Sequence, residues 1–119
     1  MGAEEYKNVI FIILTIVGAG FLILGVFLVK FPPKKINGLY GYRTSRSMQS
    51  QEAWDFSQRY SSKIMVVIGV VYSIIGPVSL YVPKQDDMVG ALISIAIVLS
   101  GVFIMFYRTE RELGKRFDF

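Results

Sequence analysis

The residues best suited to chemistry lie together in one stretch, Ile36 to Met48, which reads Ile-Asn-Gly-Leu-Tyr-Gly-Tyr-Arg-Thr-Ser-Arg-Ser-Met. Gly38 and Gly41 free the backbone for tight turns that expose amides. Arg43 and Arg46 add planar guanidinium forks, and Thr44, Ser45 and Ser47 add hydroxyls. That set suits an anion such as a lipid phosphate or a carboxylate. The competing reading is a cationic loop that sets topology and meets anionic headgroups without specificity, and composition alone leans that way. Glu52 and Asp55 fall three apart on one helix face, a spacing of ordinary surface patterning rather than of a catalytic pair. The chain has no Cys and no His, so thiolate nucleophiles, imidazole bases, disulfides and His-based metal sites fall away together. It also lacks a Gly-x-Ser-x-Gly elbow, a Walker loop and zinc spacing. The expectation is a protein that is not an enzyme and uses no metal or cofactor.

The elements that must position this loop are three apolar runs without a charged residue, at 9–29, 64–82 and 88–107. Each is long enough to cross a hydrocarbon core of about 30 Å as a helix rising about 1.5 Å per residue. Strands are excluded, because three of them cannot close a barrel and would leave edge amides in lipid. The composition agrees: 53% of residues are hydrophobic and the mean hydropathy is +0.49. A soluble domain this small could not bury so much apolar surface. The fold class expected is an all-α membrane protein with three transmembrane helices. The N-terminus at 1–8 is acidic and the first run is too long for a signal core, so it reads as a retained span rather than a cleaved leader. Tyr at position 6 argues against myristoylation.

Orientation follows from the basic residues. Lys30, Lys34, Lys35, Arg43, Arg46, Arg59 and Lys63 lie between the first two spans, and Arg108, Arg111, Lys115 and Arg116 follow the third. Only Lys7 and Lys84 fall on the other side, eleven against two of the 13 basic residues. The positive-inside rule then places the loop at 30–63 and the tail at 108–119 in the cytoplasm, with the N-terminus and the turn at 83–87 outside. The loop is too long for a plain connector. Its second part, residues 50–62, reads as a helix capped by Ser50, with Glu52 in its first turn, that leads into the second span along the membrane interface. Trp54 and Tyr60 are rings of the kind found at headgroup level. The tail is expected to extend the third span, with Arg108 and Glu112 four apart and Gly114 ending it. It is too short to suggest nucleic-acid binding.

Small residues mark the faces along which the spans can meet. Gly18 and Gly25 lie in the first; Gly69, Ser73 and Gly76 in the second, with Pro77 expected to kink it; Gly90, Ser94 and Gly101 in the third. Such rows let backbones approach closely in lipid. They predict a seam inside the subunit or between the copies of a homo-oligomer, although Gly and Ser are common in membrane helices anyway. Tyr72 and the serines read as structural. No Asp, Glu, Lys or Arg lies within a span, which argues against an ion-coupled transporter.

The block Asn37-Gly-Leu-Tyr-Gly-Tyr-Arg-Thr44, then Ser47 or Ser50, then Glu52-Ala-Trp54 and a polar lead into an apolar span, resembles the SdpI family. These are bacterial membrane proteins named for immunity to a secreted sporulation-delay toxin. Gly41, Arg43, Thr44, Glu52 and Trp54 match the family pattern, Tyr42 lies within it, and Asn37 stands where an upstream polar residue is usual. The resemblance runs from the first span through the third, the module that remains when the extra leading spans of the founding type are left aside. It implies an immunity or signalling protein of the bacterial plasma membrane. Its partners would be membrane lipid, a secreted peptide toxin, and a cytoplasmic repressor or partner membrane protein. Arg43 and Glu52 are then expected to pair across the loop, with Trp54 packing at the interface. A reading from another class is a small assembly subunit that binds anionic lipid or a partner membrane protein. A lipid-headgroup enzyme using Glu52 or Asp55 is disfavoured by the missing His and Cys.

Overall fold

The structure is a computed structural model and describes residues 8–117. The readings made of Met1–Lys7, the external N-terminus and the missing acylation signal, lie outside the described residues, as do Asp118 and Phe119. Three helices carry the chain: α1 (Val9–Lys30), α2 (Gln51–Val78) and α3 (Asp87–Arg116), with a 3-10 turn at Ser79–Tyr81 after α2. No strand occurs among the described residues. All three helices are long and apolar enough to cross a membrane.

Each start is fixed by a side chain that accepts otherwise orphaned amides. Asn8 Oδ1 accepts the Ile10 and Phe11 N–H groups, at 2.9 and 3.3 Å. Ser50 Oγ accepts from Ala53 at 3.0 Å, and Asp86 accepts from Met88 at 3.2 Å. Glu52 and Asp87 lie in first turns, and Lys30, Lys115 and Arg116 in last turns, where each sign suits the helix dipole.

Lengths decide where the membrane ends. At about 1.5 Å per residue α1 is about 33 Å long, whereas α2 and α3 reach about 42 and 45 Å, well beyond a core of about 30 Å. The excess is polar and sits at one end: the start of α2 and the finish of α3. The helix expected at 50–62 leads into the second span without a break, because nothing between Gln51 and Gly76 interrupts the hydrogen-bond ladder. Pro77 falls in the last turn of α2, where the helix gives way to the 3-10 turn, so it marks an end rather than a mid-span kink. Gly114 does not end α3, which runs on to Arg116. Glu112 reaches Lys115 and Arg116, at 3.7 and 3.8 Å, and not Arg108. Such exposed pairs contribute little.

Most helix–helix contact is α1 against α2. A Cβ on Gly69 would lie 2.5 Å from the Leu22 amide nitrogen, and one on Gly18 2.7 Å from that of Ser73. Gly25 abuts Val66 and Gly76 abuts Thr15 in the same way. The small residues of α1 and α2 thus face each other inside one subunit. On the other side, Gly101 of α3 receives the Tyr72 phenol, whose hydroxyl donates to the Ile97 carbonyl at 2.6 Å. Ser94 and Thr109 bond back to Gly90 and Met105 of their own helix. Large apolar side chains point outward instead: Ile23 is 72% exposed and Phe103 67%. Small residues inside and large ones outside is the arrangement a bilayer favours, because lipid contact costs an apolar side chain nothing.

Candidate functional site

The polar ends of α2 and α3 form a platform, and the loop at 31–50 folds over it as a cap. The buried row on α2 explains how. Trp54, Ser57, Gln58 and Ser61 recur at spacings of three and four, in phase with Gly69, Tyr72 and Gly76 further along. One helix face thus holds the cap at one end and α1 at the other.

Gln58 supplies the central fixing. Its Oε1 accepts the Tyr42 N–H and its Nε2 donates to the Tyr42 carbonyl, both at 2.7 Å and buried. A loop residue whose backbone groups are taken this way behaves like a strand paired to a side chain. Ser47, fully buried, donates to the Tyr42 carbonyl at 3.2 Å and exchanges side-chain–backbone bonds with Thr44. Gly41 makes the approach feasible. Its φ is +107°, and an added Cβ would sit 2.7 Å from both Gln58 Oε1 and Pro33 Cγ. Asn37 Oδ1 accepts from the Leu39 and Tyr40 amides and builds the preceding turn.

Two longer ties reach the helices. Trp54 is wholly buried, and its indole N–H donates to the Pro33 carbonyl at 2.7 Å. Tyr42 lays its ring on Phe106, centroids 5.1 Å apart, and donates its hydroxyl to Glu110 Oε1 at 2.8 Å. Arg46 approaches the same residue, donating to the Glu110 carbonyl at 3.2 Å with its guanidinium 4.0 Å from the carboxylate. Burial pushes the Tyr42 phenol far above its ordinary pKa, and the Glu110 carboxylate pushes it further.

That shift has a measurable sign. An unfolded phenol ionises near pH 10, while Tyr42 in the folded cap keeps its proton. Its contribution is complete below about pH 10 and is lost as pH rises above it. Tyr42→Phe is therefore expected to cost about 1–3 kcal/mol at pH 7, since a charged acceptor loses its donor. The gap to the parent should narrow above about pH 10. Denaturant titration followed by Trp54 fluorescence measures it, and a gap unchanged up to pH 11 would contradict the assignment.

With this geometry in view, comparison with known proteins is decisive. The model of the SdpI/YfhL protein family matches residues 34–108, from the cap through most of α3. The chain belongs to the SdpI/YfhL family. It is similar to the uncharacterized protein YfhL of Bacillus subtilis (strain 168), 34% identical over 102 residues, which cover 82% of this chain and 84% of the relative. No solved structure matches. Family membership and three spanning helices make this a multi-pass membrane protein.

The resemblance rests on residues that the fold brings into one cap, with two departures from the expected arrangement. Gly41, Tyr42, Thr44 and Trp54 are brought together through Gln58, Ser47 and Pro33, and Asn37 builds the turn before them. Arg43 and Glu52 form no ion pair among the described residues. Arg43 turns back to donate to the Gly38 carbonyl, and Glu52 is exposed at the start of α2. Trp54 is not exposed as an interfacial ring would be, because it is wholly buried and bonded to the cap. Gln58, Pro33 and Glu110 were not among the expected site residues. The spacing of Trp54, Gln58 and Ser61 in register with the glycines of α2 was a signal for the first.

Proposed function

We propose that this chain is a non-enzymatic immunity or signalling protein of the bacterial plasma membrane that protects the bilayer from a secreted antimicrobial peptide toxin. One observation carries the reading beyond family membership. Of the residues in the matched block, Tyr42 and Trp54 are spent on bonds that hold the cap to the ends of α2 and α3, Gly41 permits that approach, and Thr44 is bonded within the cap, rather than all being gathered around a reacting atom. A protein built this way acts through a fixed shape. The spans, or the turn between α2 and α3, meet the toxin or its lipid target, and the cap keeps the opposite ends of the helices in one arrangement. The stretch at 30–63 and the tail at 108–119 together carry eleven of the 13 Lys and Arg, which supports a cytoplasmic cap and an external turn.

The experiment expresses the chain, with a reporter active only in the cytoplasm fused after Phe119, in a bacterium sensitive to the cognate peptide. The expected result is survival at toxin levels that kill the parent, with an active reporter. Unchanged killing at normal membrane abundance would overturn the immunity reading, and a silent reporter on an inserted chain would overturn the orientation.

A further inference from the structure

Between α1, α2, α3 and the cap lies a half-open cavity of about 680 Å³. That is within the range of about 300–1,000 Å³ usual for ligand pockets. Its walls are mostly carbon: Phe27 and Leu28 from α1, Met65 from α2, Met105 and Phe106 from α3. Its cap end is polar. Arg43 lines it there, together with Ser61 and Ser62. Ser61 is 6% exposed, and its hydroxyl makes no hydrogen bond among the described residues. Its oxygen is not sealed off, so the hydroxyl is open to a group lying in the cavity. The Arg43 guanidinium spends one N–H on the Gly38 carbonyl and keeps the others unengaged at an exposed position. No acidic side chain lines the cavity, and the nearby Glu110 is already held by Tyr42 and Arg46.

The level of the cavity along the bundle is also informative. Phe27, Leu28, Met65, Met105 and Phe106 stand within three positions of exposed Lys30, Lys63 and Arg108, where the three helices leave the apolar runs. An apolar cleft with a cationic, hydroxyl-bearing end at the edge of the hydrocarbon has the polarity of one molecule in particular. We infer that this cavity holds an acyl chain of an anionic phospholipid from the surrounding leaflet, with the lipid phosphate on Arg43 and Ser61. Charge complementarity selects anionic headgroups, since each basic group near the surface favours them. The carbon walls select the chain over a soluble anion. The inference needs the chain to lie in a bilayer but not to confer immunity, so a failed killing assay leaves it standing.

The test reconstitutes the protein with equimolar phosphatidylglycerol and phosphatidylcholine, strips bulk lipid and counts retained lipids by native mass spectrometry. The parent is expected to retain phosphatidylglycerol over phosphatidylcholine by about fivefold or more. Arg43→Gln should bring that ratio close to one. Ser61→Phe, which puts a ring into the cavity and leaves the charge in place, should lower retention of both lipids about fivefold or more. Emission from Trp54, the only Trp in the chain, shows whether each variant keeps its cap. Equal retention of the two lipids by the parent would overturn the inference. So would full retention by a folded Ser61→Phe, a parent recovered as a lipid-free dimer, or displacement of the lipid by inorganic phosphate alone.

Discussion

Trp54→Ala is expected to cost about 3–5 kcal/mol, the range for removing a large aromatic from a core that cannot collapse around the gap. Trp54 is the largest wholly buried side chain, and it is wedged between α2 and the start of the cap. The substitution also strips the Pro33 carbonyl of its donor, an added penalty of about 1–3 kcal/mol if water cannot reach it. Trp54→Phe separates the two terms. It keeps most of the ring volume and loses the N–H, so its cost should be nearer the second figure than the first. Circular dichroism through a denaturant titration in detergent gives both values without depending on Trp emission. The damage should be local: protease should cut within 31–50 of Trp54→Ala while the spans stay inserted. If Trp54 were instead a headgroup anchor, Tyr and Phe would serve almost equally well and Ala would cost under about 1 kcal/mol. Measured costs in that order would refute the buried anchor.

The same residue shows where reading the sequence stops. An aromatic with a polar tip near the end of a span fits the membrane interface and a buried tie equally well, and only the path of the covering loop decides between them. That path depends on Gly41, whose φ of +107° turns Arg43 back toward Gly38 and away from Glu52. The glycine was visible as a turn former, but the direction of the turn was not. Tyr42 and Glu110 are 68 residues apart, and no local pattern links them. The spans are a different matter. Three uncharged apolar runs admit one solution in lipid, and Ser50 followed by Glu52 announced the start of α2 because orphaned amides need an acceptor. Charge patterning at the tail misled, since Glu112 had basic neighbours on both sides at helical spacing and took those at 115 and 116. Gly114 misled for a related reason. It lies inside the last turns of α3, where the Arg46 guanidinium would sit 3.1 Å from an added Cβ, a neighbour contributed by a distant part of the chain.

Gly69 tests the membrane half of the argument. Its missing side chain lets the α1 backbone come so near that a Cβ would lie 2.5 Å from the Leu22 nitrogen and 2.8 Å from its Cα. Both obstacles are backbone, so no rotamer can make way and α1 must move outward as a body. In water the hydrophobic effect would still hold the displaced helices together. In lipid it does not, because acyl chains replace the lost contacts at no cost and the seam depends on close packing. Gly69→Ala is therefore expected to cost about 1–3 kcal/mol, even though Ala is the better helix former by about 1 kcal/mol. Gly69→Leu should release α1 from α2 altogether. Gly20→Ala is the matched control. It lies on the same helix as Leu22 but meets nothing within 4 Å, so it should be neutral or slightly stabilising. Detergent-induced unfolding gives the energies, and a cysteine pair across the seam gives the separation of α1 and α2. Because the partners lie in one chain, the loss must not change when the protein is diluted in detergent. A cost that grows on dilution would place the seam between copies, and a harmless Gly69→Leu would mean that α1 and α2 do not approach at this point.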